Sequence, residues 1–288
     1  MGTPRSGEVR CLNRYGFHTV RYTDWGDPAN PRVLICLHGL TRVGNDFARL
    51  ADSLSDSYRV VCPDVAGRGR SDWLPDPKLY GLPQYSFDIA NLIARTGVDR
   101  VDLLGTSMGG LIGLSLAGQS NAPIGRLILN DIGPTMQLDA LQRIAEYVGK
   151  SEHFDSLEQA TEYVRSISAG FGLRTAQQWR ELTESVMRFE GSKWVFHYDP
   201  GIAQNLADTS AETNALAQAK LWELYDAVRG PVLVVRGTES DLLSAATAAE
   251  MAARGPRAQV VEVPGVGHAP MFFEADQIAI VRRFLLAS

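Results

Sequence analysis

The sequence predicts an α/β fold, a mostly parallel sheet flanked by helices with one helical segment inserted into it. Two observations carry this. Short β-rich apolar runs alternate with longer helical patterns, the order expected of parallel strands joined by crossover helices. That alternation then stops for nearly a hundred residues, between Ile132-Gly133-Pro134 and Gly230-Pro231, where helical signals stand alone. A third observation points to a working site. A serine sits between glycines at Gly105-Thr106-Ser107-Met108-Gly109, where one apolar run ends and a helical pattern begins.

The strands can be named in order. An N-terminal pair lies around Phe17 to Trp25, followed by Val33 to Leu37, Tyr58 to Cys62, Val101 to Leu104, Arg126 to Asn130, Pro231 to Val235 and Gln259 to Val263. Most are continuous apolar runs, as strands covered on both faces should be. Inside the inserted segment, Ser156-Leu157-Glu158-Gln159 and Thr175-Ala176-Gln177-Gln178 read as capping boxes. Leu138, Leu141, Ile144, Ala145 and Val148 form one helical stripe. No internal repeat or low-complexity tract interrupts this pattern.

Composition narrows the function classes. With 288 residues, 45% of them hydrophobic, the chain can bury one large core with an inserted subdomain. A net charge of −5 and no long basic run argue against nucleic acid as a partner. No apolar stretch reaches the roughly 18 residues of a membrane span, and the N-terminus lacks a secretory pattern. The expectation is a soluble cytoplasmic protein with no membrane partner. Cys36 and Cys62 fall inside apolar strands and Cys11 leaves an odd count, so the thiols are read as buried and inert. The start Met1-Gly2-Thr3-Pro4-Arg5-Ser6 fits the myristoylation pattern formally, and is read as a chance match.

Ser107 is the candidate covalent catalyst. The G-x-S-x-G pattern on a strand-turn-helix forces a tight turn, glycines permit the close backbone approach, and the strained serine projects its hydroxyl. A serine hydroxyl is a weak nucleophile and needs a base, which in turn needs a carboxylate to fix its tautomer. His268, in Pro264-Gly265-Val266-Gly267-His268 after the last strand, is the base expected here. Asp241, in Arg236-Gly237-Thr238-Glu239-Ser240-Asp241, is the preferred carboxylate. Asp131 also ends a strand and is the competitor, read as a structural residue at the insertion's hinge; Glu239 is a weaker rival. The oxyanion donors expected are the backbone amides of Met108 and of Leu40 in Leu37-His38-Gly39-Leu40. His38 is read as ordering that loop, and His153 as bland. His197 is read likewise, although its place in the insertion could let it reach a substrate.

Together these residues resemble the α/β-hydrolase superfamily. The motifs are Leu37 to Leu40, Pro63-Asp64-Val65-Ala66-Gly67-Arg68-Gly69-Arg70-Ser71-Asp72, Gly105 to Gly110, Ser240-Asp241 and Gly267-His268. The resemblance implies an eight-stranded, mostly parallel sheet with a helical cap after the sixth strand. It divides the chain into core (1–134), cap (135–224) and core (225–288). It also implies an acyl-enzyme on Ser107, because dehalogenase and epoxide-hydrolase relatives carry aspartate there. The expected activity is hydrolysis of carboxylic esters or lactones of small to medium apolar substrates, with no cofactor and no metal. A carbon-carbon bond hydrolase and a non-catalytic ligand-binding protein stand as alternatives. Arg68 and Arg70 are expected in salt bridges. Of Phe154, Tyr163, Phe171, Trp179, Met187, Phe189, Trp194 and Phe196 in the cap, most are expected to pack within it and some to face the pocket.

Overall fold

The computed structural model describes residues 3–150, 152–206 and 211–287. An eight-stranded sheet forms the centre: β1 (Arg5–Asn13), β2 (Gly16–Trp25), β3 (Val33–Leu37), β4 (Arg59–Pro63), β5 (Val101–Thr106), β6 (Ile124–Asn130), β10 (Val232–Gly237) and β11 (Gln259–Val263). The spatial order is β1-β2-β4-β3-β5-β6-β10-β11. Only β1 and β2 run antiparallel to their neighbours; the other six strands are parallel. β3, β5 and β10 are buried at every position, which is why β3 reads as an unbroken apolar run and the other two as mostly apolar ones.

Helices cover both faces of this sheet. α1 (Ala48–Leu54) and α9 (Ala275–Leu286) pack on one side, where Leu50, Leu54, Val281 and Leu285 join Leu34, Leu104 and Leu233. α2 (Leu82–Thr96) and α3 (Met108–Ala117) pack on the other, where Ile89, Leu92 and Ile112 meet Ile35, Leu103 and Leu129. α8 (Ala245–Ala253) joins that second layer through Met251. α2 has Pro83 in its first turn and ends at Gly97, whose φ of 77° caps the helix at no Cβ cost.

Between β6 and β10, the described residues add no strand to the large sheet. They form α4 (Leu138–Tyr147), α5 (Leu157–Ile167), α6 (Ala176–Val186) and α7 (Ala211–Ala227), with a small sheet of β7 (His153–Phe154), β8 (Met187–Glu190) and β9 (Lys193–Phe196). The small sheet was not legible in the sequence, because its strands are only two to four residues long. Thr175 makes a full capping box with Gln178, whereas at Ser156 the hydroxyl accepts from the Gln159 N–H. The expected boundary at residue 224 falls inside α7, which lays Leu221 and Tyr225 into the core shared with α3. No described helix is long and apolar enough to cross a membrane.

Candidate active site

The turn at Ser107 is built by two glycines facing each other across it. A Cβ on Gly105 would overlap the backbone of Gly109 and Gly110, and a Cβ on Gly109 would overlap the Leu37 carbonyl. With both absent, β5 runs straight into α3, and Ser107 takes φ 52° and ψ −118° between them. This is a sparsely populated region that costs a non-glycine residue on the order of 1–3 kcal/mol. The Ser107 carbonyl accepts from Gly110 N–H (2.8 Å) and Leu111 N–H (3.1 Å), which anchors the strained residue to the first turn of α3.

Ser107 Oγ lies 3.0 Å from Nε2 of His268, and Nδ1 of the same ring lies 2.8 Å from Oδ2 of Asp131. An ionised carboxylate only accepts, so Nδ1 carries the proton and Nε2 is left to accept from the serine hydroxyl. Asp131 is fully buried and His268 is 11% exposed, so the pair is shielded while the serine side stays open. The Asp131 carboxylate also accepts from Gly237 N–H at 2.8 Å and Ser240 Oγ–H at 2.5 Å.

The expectation for Asp241 is therefore corrected. Its carboxylate is half exposed and takes Nε (3.0 Å) and Nη2 (2.7 Å) of Arg143 from α4, away from His268. Register explains the exchange. Thr106 pairs with Asn130 across β5 and β6, so Ser107 and Asp131 leave the sheet side by side. Asp241 lies four residues past the end of β10, beyond a turn whose Ser240 and Gly237 serve as donors to Asp131. The strand-end position of Asp131 was the available signal, and only strand order shows that it lies next to the serine.

Met108 is the first residue of α3, where a backbone N–H has no acceptor within the helix. The Leu40 amide is oriented indirectly. The Gly39 carbonyl, in the same peptide unit, accepts from His38 Nδ1 (2.7 Å) and from Arg42 N–H (3.1 Å). A trans peptide points its N–H opposite its carbonyl, so these bonds fix the direction of the Leu40 N–H. A Cβ placed on Gly39 would sit 3.8 Å from Ser107 Cβ, so this loop lies against the serine. His38 Nε2 accepts from Val65 N–H at 2.9 Å, which sets its tautomer, and burial pushes its pKa down to about 4. His38 thus orders the loop as a neutral ring.

Arg68 departs from its expectation. It is fully buried and donates to neutral acceptors: Leu40 O (2.8 Å), Ala66 O (2.8 Å) and Tyr85 Oη (2.7 Å), with Met108 Sδ 3.5 Å away. It clasps the Leu40 loop to the start of α3. Arg70 does pair with Asp64, at 3.1 Å. His197 ties the inserted segment to the loop after β4 through its backbone, its carbonyl accepting from Gly69 N–H at 2.8 Å, and its ring is not among the cleft-lining residues.

A cleft opens over Ser107. Its far wall comes from the inserted segment: Ile144 and Tyr147 of α4, Val164 and Ile167 of α5, and the rings of Phe171 and Phe196. Those two rings are the ones among the eight cap side chains singled out above that line it. Phe154 and Tyr163 instead meet Phe196 edge-on at 6.5 and 6.0 Å, packing the inserted segment itself. Tyr147 was not foreseen, although it lies one helical turn beyond Ile144 on the stripe.

Comparison with known proteins agrees with this architecture. Residues 32–275 match the family model for the alpha/beta hydrolase fold. The chain belongs to the α/β-hydrolase family. It is a hydrolase, and several of its relatives span most of the chain. It is 50% identical over 286 residues to a protein named 3-hydroxybutyrate-oligomer hydrolase from Cupriavidus necator, covering 98% of each chain. It is 27% identical over 239 residues to a 2-(acetamidomethylene)succinate hydrolase from Mesorhizobium japonicum, covering 82% of this chain and 81% of the other. Among solved structures, an alpha/beta hydrolase from Novosphingobium aromaticivorans superposes with a TM-score of 0.87 at 34% identity, covering 99% of both chains.

Proposed function

We propose that this α/β hydrolase cleaves carboxylic esters through an acyl-enzyme on Ser107, and that its substrates are short oligoesters of a hydroxy acid. The observation that carries the mechanism is the unbroken hydrogen-bond chain Ser107–His268–Asp131 opening onto the cleft. The relative that is 50% identical over 286 residues and is named for 3-hydroxybutyrate oligomers supports the substrate class. We take residues 135–224 as the cap that selects it.

In this reading, His268 Nε2 takes the Ser107 proton as Oγ attacks the ester carbonyl carbon. The oxyanion that forms accepts from the Met108 and Leu40 amides, each such donor contributing about 2.7–4 kcal/mol to barrier lowering. His268 then protonates the departing alkoxide, and the acyl group stays on Ser107. Water enters, gives a proton to His268 and attacks the acyl carbon; the proton returns to Oγ as the acid leaves. Asp131 stays ionised and stabilises the imidazolium in each half-reaction. Ser107, His268 and the attacking water carry every proton, so the scheme calls on no cofactor or metal. The three buried free thiols fit a reducing, cytoplasmic setting.

The test is direct: purified protein is incubated with dimeric and trimeric 3-hydroxybutyrate, and monomer release is followed alongside labelling by a fluorophosphonate. Monomer release and labelling at Ser107 are expected. A folded protein that neither labels nor hydrolyses would favour a ligand-binding role instead.

A further inference from the structure

Arg143 and Asp241 form a cap-to-core ion pair that the serine chemistry leaves unused. α4 presents Arg143, Ile144 and Tyr147 on one face, and all three line the cleft over Ser107. The ionisable side chains of that lining are His38, Arg42, Asp46, Arg143, Tyr147 and His268. Arg42 is spent: its Nε and Nη2 take both oxygens of Asp46 at 2.7 Å, and the pair is buried. His38 is held neutral by burial. What remains at the cleft is the Arg143 guanidinium, whose only described counter-charge, Asp241, lies outside the lining.

The geometry of the ion pair leaves it able to bind. Both described bonds from Arg143 end on a single oxygen, Asp241 Oδ2, and use Nε and Nη2. Nη1 is left for another acceptor, and Asp241 itself is not part of the cleft lining. The carboxylate thus engages the guanidinium through Nε and Nη2 from outside the lining, and Nη1 takes no part in that pair. A planar guanidinium beside apolar and aromatic walls suits a carboxylate.

We propose that Arg143 is the specificity-determining residue for a free carboxylate on the substrate, so that the enzyme takes oligoesters by their acid terminus. This rests on the oligoester reading above. An oligomer of a hydroxy acid carries one such carboxylate on the alcohol side of its last ester bond. Anchoring it at Arg143 would set that bond over Ser107 and release the terminal acid unit first.

The test compares 3-(3-hydroxybutanoyloxy)butanoate with its terminal carboxamide, which has the same shape without the charge. The wild-type enzyme should show kcat/KM at least about tenfold higher for the carboxylate, since charged hydrogen bonds discriminate at that scale. In Arg143→Met the ratio should fall to near one through a raised KM for the carboxylate, and Arg143→Lys should restore part of it. A wild-type ratio near one, or a preference that survives in Arg143→Met, would overturn the inference while leaving ester hydrolysis intact. If neither compound is cleaved but 4-nitrophenyl butyrate is, the oligoester reading falls and takes this inference with it. If 4-nitrophenyl butyrate is also untouched by folded protein, the serine-hydrolase reading itself fails.

Discussion

Asp131 Oδ2 stands 2.8 Å from His268 Nδ1, at the end of the strand adjacent to the one that carries the serine. Asp131 is fully buried and accepts from three donors, whereas Asp241 is half exposed and pairs with an arginine. Asp131→Asn should therefore lower kcat on a neutral aryl ester by about 10⁴-fold, because the amide favours the wrong imidazole tautomer. Asp241→Asn should stay within about tenfold of the parent on that ester. Steady-state kinetics of the two variants side by side decides between the carboxylates, and the reverse ranking would return the role to Asp241.

Ser107→Ala should remove activity on the order of 10⁴-fold or more and abolish fluorophosphonate labelling. The fold should hold, because alanine deletes only the hydroxyl whose partner is His268. Circular dichroism alongside the assay separates loss of chemistry from loss of structure; a variant that still turned over esters at the parental rate would exclude Ser107 as the nucleophile.

Gly109→Ala addresses the turn itself. The new Cβ would meet the Leu37 carbonyl oxygen and carbon, which are backbone atoms at the end of a buried strand and have no room to shift. Destabilisation of roughly 3 kcal/mol or more is expected, the range of core overpacking combined with backbone strain. Chemical denaturation would show it as a lowered midpoint, and a parental midpoint would mean that β3 and α3 can separate.

His38 couples loop geometry to pH. Its pKa falls from 6.5 to about 4 because burial disfavours the imidazolium. Between those values the unfolded chain binds the proton and the folded one does not. The stability it contributes is therefore complete above about pH 6.5, and is lost as the pH drops towards 4. At about 1.4 kcal/mol per unit, the full loss is roughly 3 kcal/mol. In His38→Gln this dependence should vanish, so unfolding free energies of parent and variant, measured at pH 7 and pH 4, should converge by about that amount on acidification. A constant gap would show that His38 does not carry the linkage.

Much of this protein was written in local sequence. The strands of the parallel sheet, the serine turn and the base at His268 each announce themselves through short-range rules: apolar runs where both faces are covered, glycines where backbones touch, a glycine-rich loop after the last strand. The expectation that the Met108 and Leu40 amides serve as oxyanion donors rests on the same motifs. The small sheet of β7, β8 and β9 did not announce itself, because strands of two to four residues carry too little periodicity to read.

The choice between Asp131 and Asp241 lay beyond sequence because both follow a strand with similar loop chemistry. Which one meets the imidazole depends on the order and register of strands, a long-range property: Asp131 leaves the sheet beside Ser107, while Asp241 is carried past a turn towards α4. The charge facing the cleft was hidden for the same reason. Only packing pairs Arg42 with a buried aspartate and Arg143 with a half-exposed one at the border of the cleft. Sequence thus determined which chemistry the chain carries, because the turn and the strand patterns are local. Tertiary structure decided which side chains complete that chemistry, because charges and hydrogen bonds act across space between residues far apart in the chain.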